Sequence, residues 1–301
     1  MTDYIKKVKL KGNESFNIRE GWLRKGMRSV KDYPDLFSRS DVMEILGVGS
    51  KMVKSIRYWL QATHLCVEQN IGGNHARQQF ITEDFGKIIE QYDPFFDDVF
   101  TLSLIHYHIV RNKQGLCEIW NIFFNEYDGK DFTRENMYEM CKDYLNKRLE
   151  QGVTYSFNSL RDDCASVIRM YQEADHSGDP EDNLGSPLSE LGLLKKNNRG
   201  NFDKSIPSKD VLDKYAILYV IKQNLEYEKN SVSIDEMWKS PNNIGRVFNL
   251  NRSTINEYLD QLRAIGLITI NRTAGLDMVY VTTEMSSAEI MKEYYEKLQA
   301  R

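Results

Sequence analysis

The sequence of 301 residues contains few cysteines, and they are far apart. The four are Cys66, Cys117, Cys141 and Cys164, and no C-x-x-C pair occurs among them. This spacing argues against a zinc ribbon and against the disulfide framework of a small secreted domain. Because cysteine is among the residues most often buried, we expect four buried thiols.

A long apolar run is also missing. No stretch approaches the roughly 20 apolar residues of a membrane helix, and the opening "MTDYIKKVKLKG" is charged with no apolar segment behind it. With 41% hydrophobic and 28% charged residues, the composition is typical of a soluble globular protein. We therefore expect a cytoplasmic protein with no membrane partner.

Motifs of common enzyme chemistry are absent. There is no Walker loop, H-E-x-x-H, G-x-S-x-G or dinucleotide fingerprint. His106 and His108 resemble a pair of metal ligands, but residues two apart on a helix point to different faces and would not bind one ion together. We therefore interpret them as core residues. The pairs Asp97–Asp98 and Asp162–Asp163 would hold Mg²⁺ only with a third carboxylate nearby, and helix capping explains them equally well. No cofactor is evident.

Charge is distributed unevenly along the chain, although the net charge is only −4. Residues 1–63 contain 13 Lys or Arg and 7 Asp or Glu, a balance of +6, so the other 238 residues carry −10. A basic end on an acidic body indicates a local surface for a polyanion. Ordinary solvated helix faces explain the count equally well.

A short apolar helix followed by a longer basic helix is predicted near the N-terminal end. Ser40 caps the short helix, Gly47 ends it, and Ser50 caps the longer one. The longer helix carries apolar residues at three- and four-residue spacing: Val53, Ile56 and Leu60. Its opposite face carries three cations: Lys51, Lys54 and Arg57.

A hairpin is predicted directly after the basic helix. The segment "LCVEQNIGGNHARQQFIT" indicates two strands around a Gly72–Gly73 tip, with His75 and Arg77 beside the turn. Helix, turn, basic helix and hairpin is the order of a winged helix-turn-helix. Cations at this spacing suit phosphates and base edges in a major groove. The residues expected to contact double-stranded DNA here are Lys51, Lys54, Arg57 and Arg77.

The same order is predicted again near the C-terminal end. "DVLDKYAILYVIKQNL" and "RSTINEYLDQLRAIG" indicate helices with one apolar face, and "LITINRTAGLDMVYVTT" indicates a hairpin. The second helix mixes Arg252 and Arg263 with Glu257 and Asp260, whose carboxylates would repel phosphate. Arg252 and Arg272 are the candidates for DNA contact. A protein interface is the alternative, because winged helices also serve as docking modules.

The expected fold is mainly α (α+β), with two winged helix-turn-helix units flanking a helical middle region. Residues 1–92 hold the N-terminal segment and the basic unit, and residues 93–173 form a helical core region. Residues 174–210 concentrate Gly, Pro, Ser, Asn and Asp, which predicts a linker with an ordered "LSELGLL" patch. Residues 211–301 form the C-terminal unit. Deletion from about residue 210 onward is expected to leave a soluble remainder.

Several blocks of the sequence resemble one known family. "GNESFNIREGWLRKG", residues 12–26, resembles the "G-H-E-T-F-x-x-R-x-x-W-L-x-K-G" opening of the domain of unknown function 4007 family. "LGVGSKMVKSIRYWLQAT" looks like the next block, and "YDPFFDDVFTLSLIHYHIV", "IWNIFFNE" and "EDNLGSPLSELGLL" are similar to later blocks in the same order. The likeness spans most of the chain. Asn13 stands where the family opening has His.

The resemblance implies a place in bacterial anti-phage defence islands beside genes for DNA phosphorothioation, in which sulfur replaces a backbone oxygen. It also implies partners: a cysteine desulfurase, an ATPase and an ATP-pyrophosphatase-like protein. DNA nicking, with Mg²⁺ or Mn²⁺, is implied by the resemblance alone, whereas DNA binding is also predicted from the residues. A transcriptional regulator that binds as a homodimer and a scaffold for modification enzymes are the alternatives.

Glu14, Arg19 and Lys25 match the family opening and are the candidates for chemistry. They would form either a buried ion network or a phosphate-facing site. Glu14 and Arg19 are close enough in sequence to pair, and Glu14→Gln would then cost on the order of 3 kcal/mol by leaving Arg19 without a partner. A helix that begins near Gly21 is expected to bury two residues, Trp22 and Leu23.

Overall fold

The computed structural model describes residues 5–71, 76–173, 185–225, 229–273 and 276–300. The fold is mixed α/β, 52% helical with small antiparallel sheets, and agrees with the expected α+β class. Within these ranges every helix is too short or too polar to cross a bilayer. The predicted Gly72–Gly73 tip, His75 and residues 174–184 of the predicted linker lie outside the described residues.

Three α-helices and a hairpin follow the opening segment. They are α1 (Trp22–Asp32), α2 (Val42–Leu46), α3 (Ser50–Ala62), β1 (Cys66–Ile71) and β2 (Ala76–Ile81), with a 3-10 helix (Leu36–Ser38) after α1. The strands pair antiparallel. Two predicted caps are wrong by one residue: Asp41 rather than Ser40 precedes α2, and Gly49 rather than Ser50 precedes α3. Gly47 ends α2 in a left-handed conformation, as predicted.

Helix α1 packs closely against α3 at a glycine. A Cβ on Gly26 would lie 2.9 Å from Ile56 Cγ2 and 2.9 Å from Leu60 Cδ1, so no larger residue fits without displacing them. Trp22 and Leu23 at the start of α1 are buried, as predicted. The face of α1 away from α3 carries exposed cations: Arg24, Lys25 and Arg28.

Helix α5 (Val99–Arg111) is central, since all of residues 100–110 are buried. Further helices of this region are α4 (Gly86–Tyr92), α6 (Glu118–Glu126), α7 (Arg134–Arg148) and α8 (Phe157–Tyr171). His106 bonds to the Tyr171 hydroxyl (2.8 Å) and the Val247 carbonyl (2.7 Å), and His108 bonds to the Tyr219 hydroxyl (2.9 Å). Their interpretation as core residues is confirmed, and all four cysteines are buried free thiols, as expected.

The described part of the predicted linker is folded onto the helical centre. It forms a 3-10 helix (Pro187–Leu191) and two strands, β4 (Leu194–Lys196) and β5 (Phe202–Lys204), and β5 also pairs with β3 (Asp131–Phe132). The glycines make turns, as at Gly192 and Gly200, which have φ of 62° and 80°. The four leucines of the predicted ordered patch are buried: Leu188, Leu191, Leu193 and Leu194.

The C-terminal part repeats the order of helices and hairpin. It comprises α9 (Lys214–Asn224), β6 (Ser231–Ser233), α10 (Ile234–Lys239), α11 (Ile244–Val247), α12 (Arg252–Ala264), β7 (Ile268–Thr273), β8 (Leu276–Val281) and α13 (Ser287–Gln299). The strand order is β6-β8-β7. Asn251 caps α12 by accepting a bond from the Thr254 N–H. The predicted apolar face of α12 is buried except for Ile265, which follows the helix and is 45% exposed.

Buried contacts join the C-terminal part to the centre. The hydroxyls of Thr101 and Tyr295 lie 2.7 Å apart, and the rings of Tyr92 and Tyr295 stack with centroids 5.3 Å apart. The division into residues 1–92, 93–173, 174–210 and 211–301 stays a prediction. These contacts, together with those of His106 and His108, cross its boundary at residue 210.

Candidate nucleic-acid interface

Helix α3 exposes its first turns to solvent. Lys51 is exposed and forms no ion pair with a described residue. The Lys54 side chain is 67% exposed, and its Nζ lies 3.6 Å from Glu14 Oε1. The opposite face of α3 is buried and holds the helix in the core: Val53, Ile56 and Leu60. Two ammonium groups are thus available on the exposed face.

Arg57 and Arg77 share the carboxylate of Glu68. Arg57 donates to Glu68 Oε2 through Nε (2.8 Å) and Nη2 (2.6 Å), and Arg77 Nη1 lies 3.7 Å from Oε1. The side-chain amides of Gln61 and Gln79 each donate a hydrogen bond of 3.5 Å to Glu68 Oε2. Arg57 and Arg77 are therefore paired within the protein, as Lys54 is with Glu14, and of the four cations predicted to contact DNA in this unit Lys51 alone forms no ion pair with a described residue.

The opening segment is anchored on α8. The Lys11 N–H donates to Asp163 Oδ2 (2.9 Å), and Asn13 Nδ2 donates to Ser166 Oγ (2.9 Å). Asn13 is 1% exposed, and its Oδ1 also accepts a bond from the Ser15 N–H (3.2 Å). The residue that departs from the family opening therefore holds the turn that precedes α1.

Glu14 and Arg19 do not form the ion pair that their spacing suggested. Glu14 contacts Lys54 of α3, whereas the Arg19 guanidinium lies 5.6 Å from the Phe16 ring centroid and 5.5 Å from that of Trp22. Glu14 belongs to the turn against α3, with φ of 51°. Arg19 precedes α1 and is held by the two aromatic rings, so the two charges have separate surroundings.

Lys25 has a structural partner. Its Nζ donates to the carbonyl oxygen of Leu46 at 3.0 Å, where α2 ends. A cation is favourable there, because the last carbonyl groups of a helix carry partial negative charge. The three candidates for chemistry, Glu14, Arg19 and Lys25, therefore have different partners, and their role in chemistry stays a prediction.

Three of the segments that resemble family blocks meet at one cleft of about 460 Å³. Arg19 and Arg24 come from the opening segment, Phe95 from the segment before α5, and Ser189 from the 3-10 helix Pro187–Leu191. The Arg24 guanidinium lies 3.9 Å from the Phe95 ring centroid. Carboxylates also line the cleft: Glu20, Asp97 and Glu190. The sequence analysis did not predict this cleft, because periodicity does not relate distant segments.

The cations of the C-terminal unit are paired as well. Arg252 Nη1 lies 2.8 Å from Asp235 Oδ1, and its Nη2 lies 3.0 Å from Asp277 Oδ2. Arg272 Nη2 donates to Asn256 Oδ1 at 3.0 Å. With two carboxylates on one guanidinium, Arg252 is more fully neutralised than any cation of α3.

Residues 10–295 match the family model described as "Protein of unknown function (DUF4007)". The chain belongs to this family. Membership confirms the resemblance drawn from residues 12–26 and the blocks that follow them. A search of curated proteins gives no match.

This DUF4007 chain shares its fold with solved structures of SspB. The "SspB crystal structure" is 22% identical with a TM-score of 0.86, and the "Magnesium ion-bound SspB crystal structure" is 21% identical with a TM-score of 0.85. Each alignment covers 98% of this chain and 90% of the other. At these identities the likeness establishes the fold alone.

The acidic pairs considered as metal ligands in this DUF4007 chain have other partners. Asp98 caps α5 by accepting a bond from the Phe100 N–H. Asp162 accepts from Lys11 Nζ (2.6 Å), and Asp163 accepts from the backbone N–H of Lys11. Among the described residues, no three His, Cys, Asp or Glu side chains are placed to hold a metal ion. These side chains do not fit a dedicated Mg²⁺ or Mn²⁺ site.

Proposed function

We propose that this protein is the DNA-binding component of a bacterial DNA phosphorothioation and anti-phage defence system. The observation that supports it most is the exposed face of α3, where Lys51 and Lys54 lie in the first turns. We interpret α2, α3 and the β1–β2 hairpin as a winged helix-turn-helix. DUF4007 membership and the fold shared with SspB support the defence context.

The position of these lysines suits groove binding. In a helix-turn-helix the second helix enters the major groove, and residues near its N-terminal end reach the bases while flanking cations contact phosphates. Lys51 and Lys54 lie at this end of α3. Each phosphate neutralised releases counterions, so log K falls by about 0.9 per contact for each tenfold rise in salt. The proposal therefore requires salt-dependent binding to duplex DNA.

For the C-terminal unit we favour protein docking over DNA contact. We interpret α11, α12 and the β7–β8 hairpin as a second winged helix. Its Arg252 is held by two carboxylates, which a phosphate would have to displace. The proposed partners are the desulfurase, the ATPase and the ATP-pyrophosphatase-like subunit of the system, or a second copy of this chain, in the cytoplasm. Arg252 and Arg272 then orient the partner or the DNA.

DNA nicking is the second candidate function. One similar structure is described as magnesium ion-bound, which favours testing divalent metals. The described side chains do not fit a dedicated metal site, so no step through a metal is assigned. Supercoiled plasmid incubated with Mg²⁺ or Mn²⁺ would become open-circular if the protein nicks. Sequence-specific binding without breakage supports a regulator, and no salt-dependent binding supports a scaffold.

The decisive experiment compares two double variants by fluorescence anisotropy with a labelled DNA duplex over a range of salt. Lys51→Ala with Lys54→Ala should reduce the slope of log K against log salt by about 1.8, at about 0.9 per phosphate. Lys195→Ala with Lys196→Ala, two exposed lysines of β4, is the matched control and should leave the slope unchanged. An unchanged slope in a folded Lys51/Lys54 variant would contradict groove binding through α3.

A further inference from the structure

Both units pair an arginine of their second helix with a carboxylate of the adjacent hairpin. In the first unit Arg57 of α3 binds Glu68 of β1, with contacts of 2.6 and 2.8 Å. In the second, Arg252 of α12 binds Asp277 of β8 at 3.0 Å. Arg57 is the eighth residue of α3 and Arg252 the first of α12, so the two ion pairs occupy different positions of their units.

Glu68 lies between the guanidinium groups of Arg57 and Arg77, which could otherwise bind a DNA phosphate. Its side chain is only 17% exposed, and it receives bonds from Arg57 on one side while Arg77 lies 3.7 Å away on the other. Arginine binds carboxylate and phosphate with the same planar fork of N–H groups. An arginine engaged by Glu68 must therefore give up that bond before it contacts a DNA phosphate through the same groups.

We propose that Glu68 is an intramolecular competitor for DNA phosphate, which binds Arg57 and Arg77 and offsets one of their two positive charges until a duplex displaces it. This inference rests on the proposed DNA-binding function. In the free protein the cluster of Arg57, Arg77 and Glu68 therefore attracts DNA with about one net positive charge rather than two. When the two arginines contact DNA, they exchange the Glu68 carboxylate for a phosphate. This exchange adds little to the affinity for DNA that does not fit the surface.

The test uses Glu68→Gln, which keeps the shape and a hydrogen-bond acceptor but removes the charge. Affinity for a labelled duplex at about 0.1 M salt should rise about tenfold and the salt slope should steepen by about 0.9, both being the effect of one additional phosphate contact. Glu139→Gln removes an exposed carboxylate of α7 that pairs with Lys142. This control should change affinity less than about twofold, because exposed charges away from the contact are screened.

Removing the arginines separates competition from a general charge effect. In an Arg57→Ala, Arg77→Ala background, Glu68→Gln should raise affinity less than about threefold, because only the screened repulsion of one carboxylate is removed. A gain of the same size there, or weaker DNA binding by a folded Glu68→Gln variant, would overturn the proposal.

If the Glu68→Gln variant does not fold, a second measurement tests the same proposal with Glu68 intact. The double arginine variant with Glu68 intact should lose less than about threefold in affinity, since each arginine contact replaces an existing ion pair. A loss of tenfold or more would show that the arginines bind DNA freely. If neither wild type nor Glu68→Gln binds duplex at low salt, the proposed function fails as well. If wild type binds and Glu68→Gln does not improve it, only the role of Glu68 fails.

Discussion

The backbone N–H of Lys11 donates to the carboxylate of Asp163 at 2.9 Å, across 152 positions of sequence. Asp163 is 5% exposed, and burial raises its pKa to about 7, with the neighbouring Asp162 adding to the rise and Lys11 opposing it. The segment that carries the family opening is thus tied to α8 by a carboxyl group that titrates near neutral pH.

This arrangement predicts a pH dependence of stability. In the unfolded chain the Asp163 pKa returns to about 3.9, so between about pH 4 and pH 7 the folded state binds more protons than the unfolded one. The contribution of Asp163 to the free energy of unfolding therefore falls as pH rises through that window, and is level above it. Asp163→Asn should match wild type near pH 5 and exceed it by on the order of 3 kcal/mol at pH 8.

Urea unfolding of both proteins at the two pH values measures this. Comparison with wild type cancels the titration of other groups, such as Lys204, whose pKa burial lowers to about 7. A difference between the two proteins that does not change with pH would show that Asp163 is ionised throughout.

The charge of Glu14 is predicted to contribute little to stability. Its partner Lys54 is 67% exposed and 3.6 Å away, and exposed ion pairs contribute less than about 1 kcal/mol. Glu14→Gln should therefore leave the melting temperature almost unchanged, in place of the loss expected from a buried pair with Arg19. Plasmid nicking is then the informative readout. A stable variant that no longer nicks DNA would assign chemistry to Glu14, and a strongly destabilised one would contradict the small contribution expected of its contact with the exposed Lys54.

The contact between α1 and α3 predicts that Gly26→Ala destabilises the protein. The added Cβ would lie 2.9 Å from atoms of Ile56 and Leu60, both fully buried, and overpacking typically costs about 1 to 3 kcal/mol. The better helix propensity of alanine offsets up to about 1 kcal/mol of this. Gly49→Ala is the matched control, since a Cβ there meets nothing within 4 Å. Thermal unfolding should show a lower midpoint for Gly26→Ala only, and equal midpoints would refute the close contact.

Deletion from residue 211 onward is now predicted to give an aggregating fragment. The truncation removes the partners of Thr101, His106 and His108 and exposes the apolar start of α5 beneath α13. Size-exclusion chromatography and near-ultraviolet circular dichroism of the fragment measure the outcome. A monomeric fragment with cooperative unfolding would instead support the division at residue 210 drawn from composition.

Much of the local structure was predictable from the sequence. The apolar spacing of Val53, Ile56 and Leu60 identified the buried face of α3, and the density of large apolar residues identified α5 as central. The positions of glycines predicted turns, such as the one at Gly47 that ends α2. Each of these signals is local, because helix and strand periods relate residues only a few positions apart.

The partners of the charged residues were not predictable in the same way. Periodicity indicates which face of α3 is exposed, but not that Glu68 of the next strand neutralises Arg57 or that Lys25 caps α2. For the same reason, composition predicted a linker over residues 174–210 with an ordered "LSELGLL" patch, but not that β5 pairs with β3. Selecting a partner depends on the fold of the whole chain.

The packing of α13 on α4 and α5 sets an order of events during synthesis. Thr101 leaves the ribosome 194 residues before Tyr295, which bonds to it, and at about 5 to 20 residues per second this interval lasts about 10 to 40 s. Throughout it, the apolar start of α5 lacks its native cover. We therefore expect the nascent chain to bind chaperones that recognise exposed apolar segments, and slowed translation between residues 101 and 295 to prolong its exposure to aggregation.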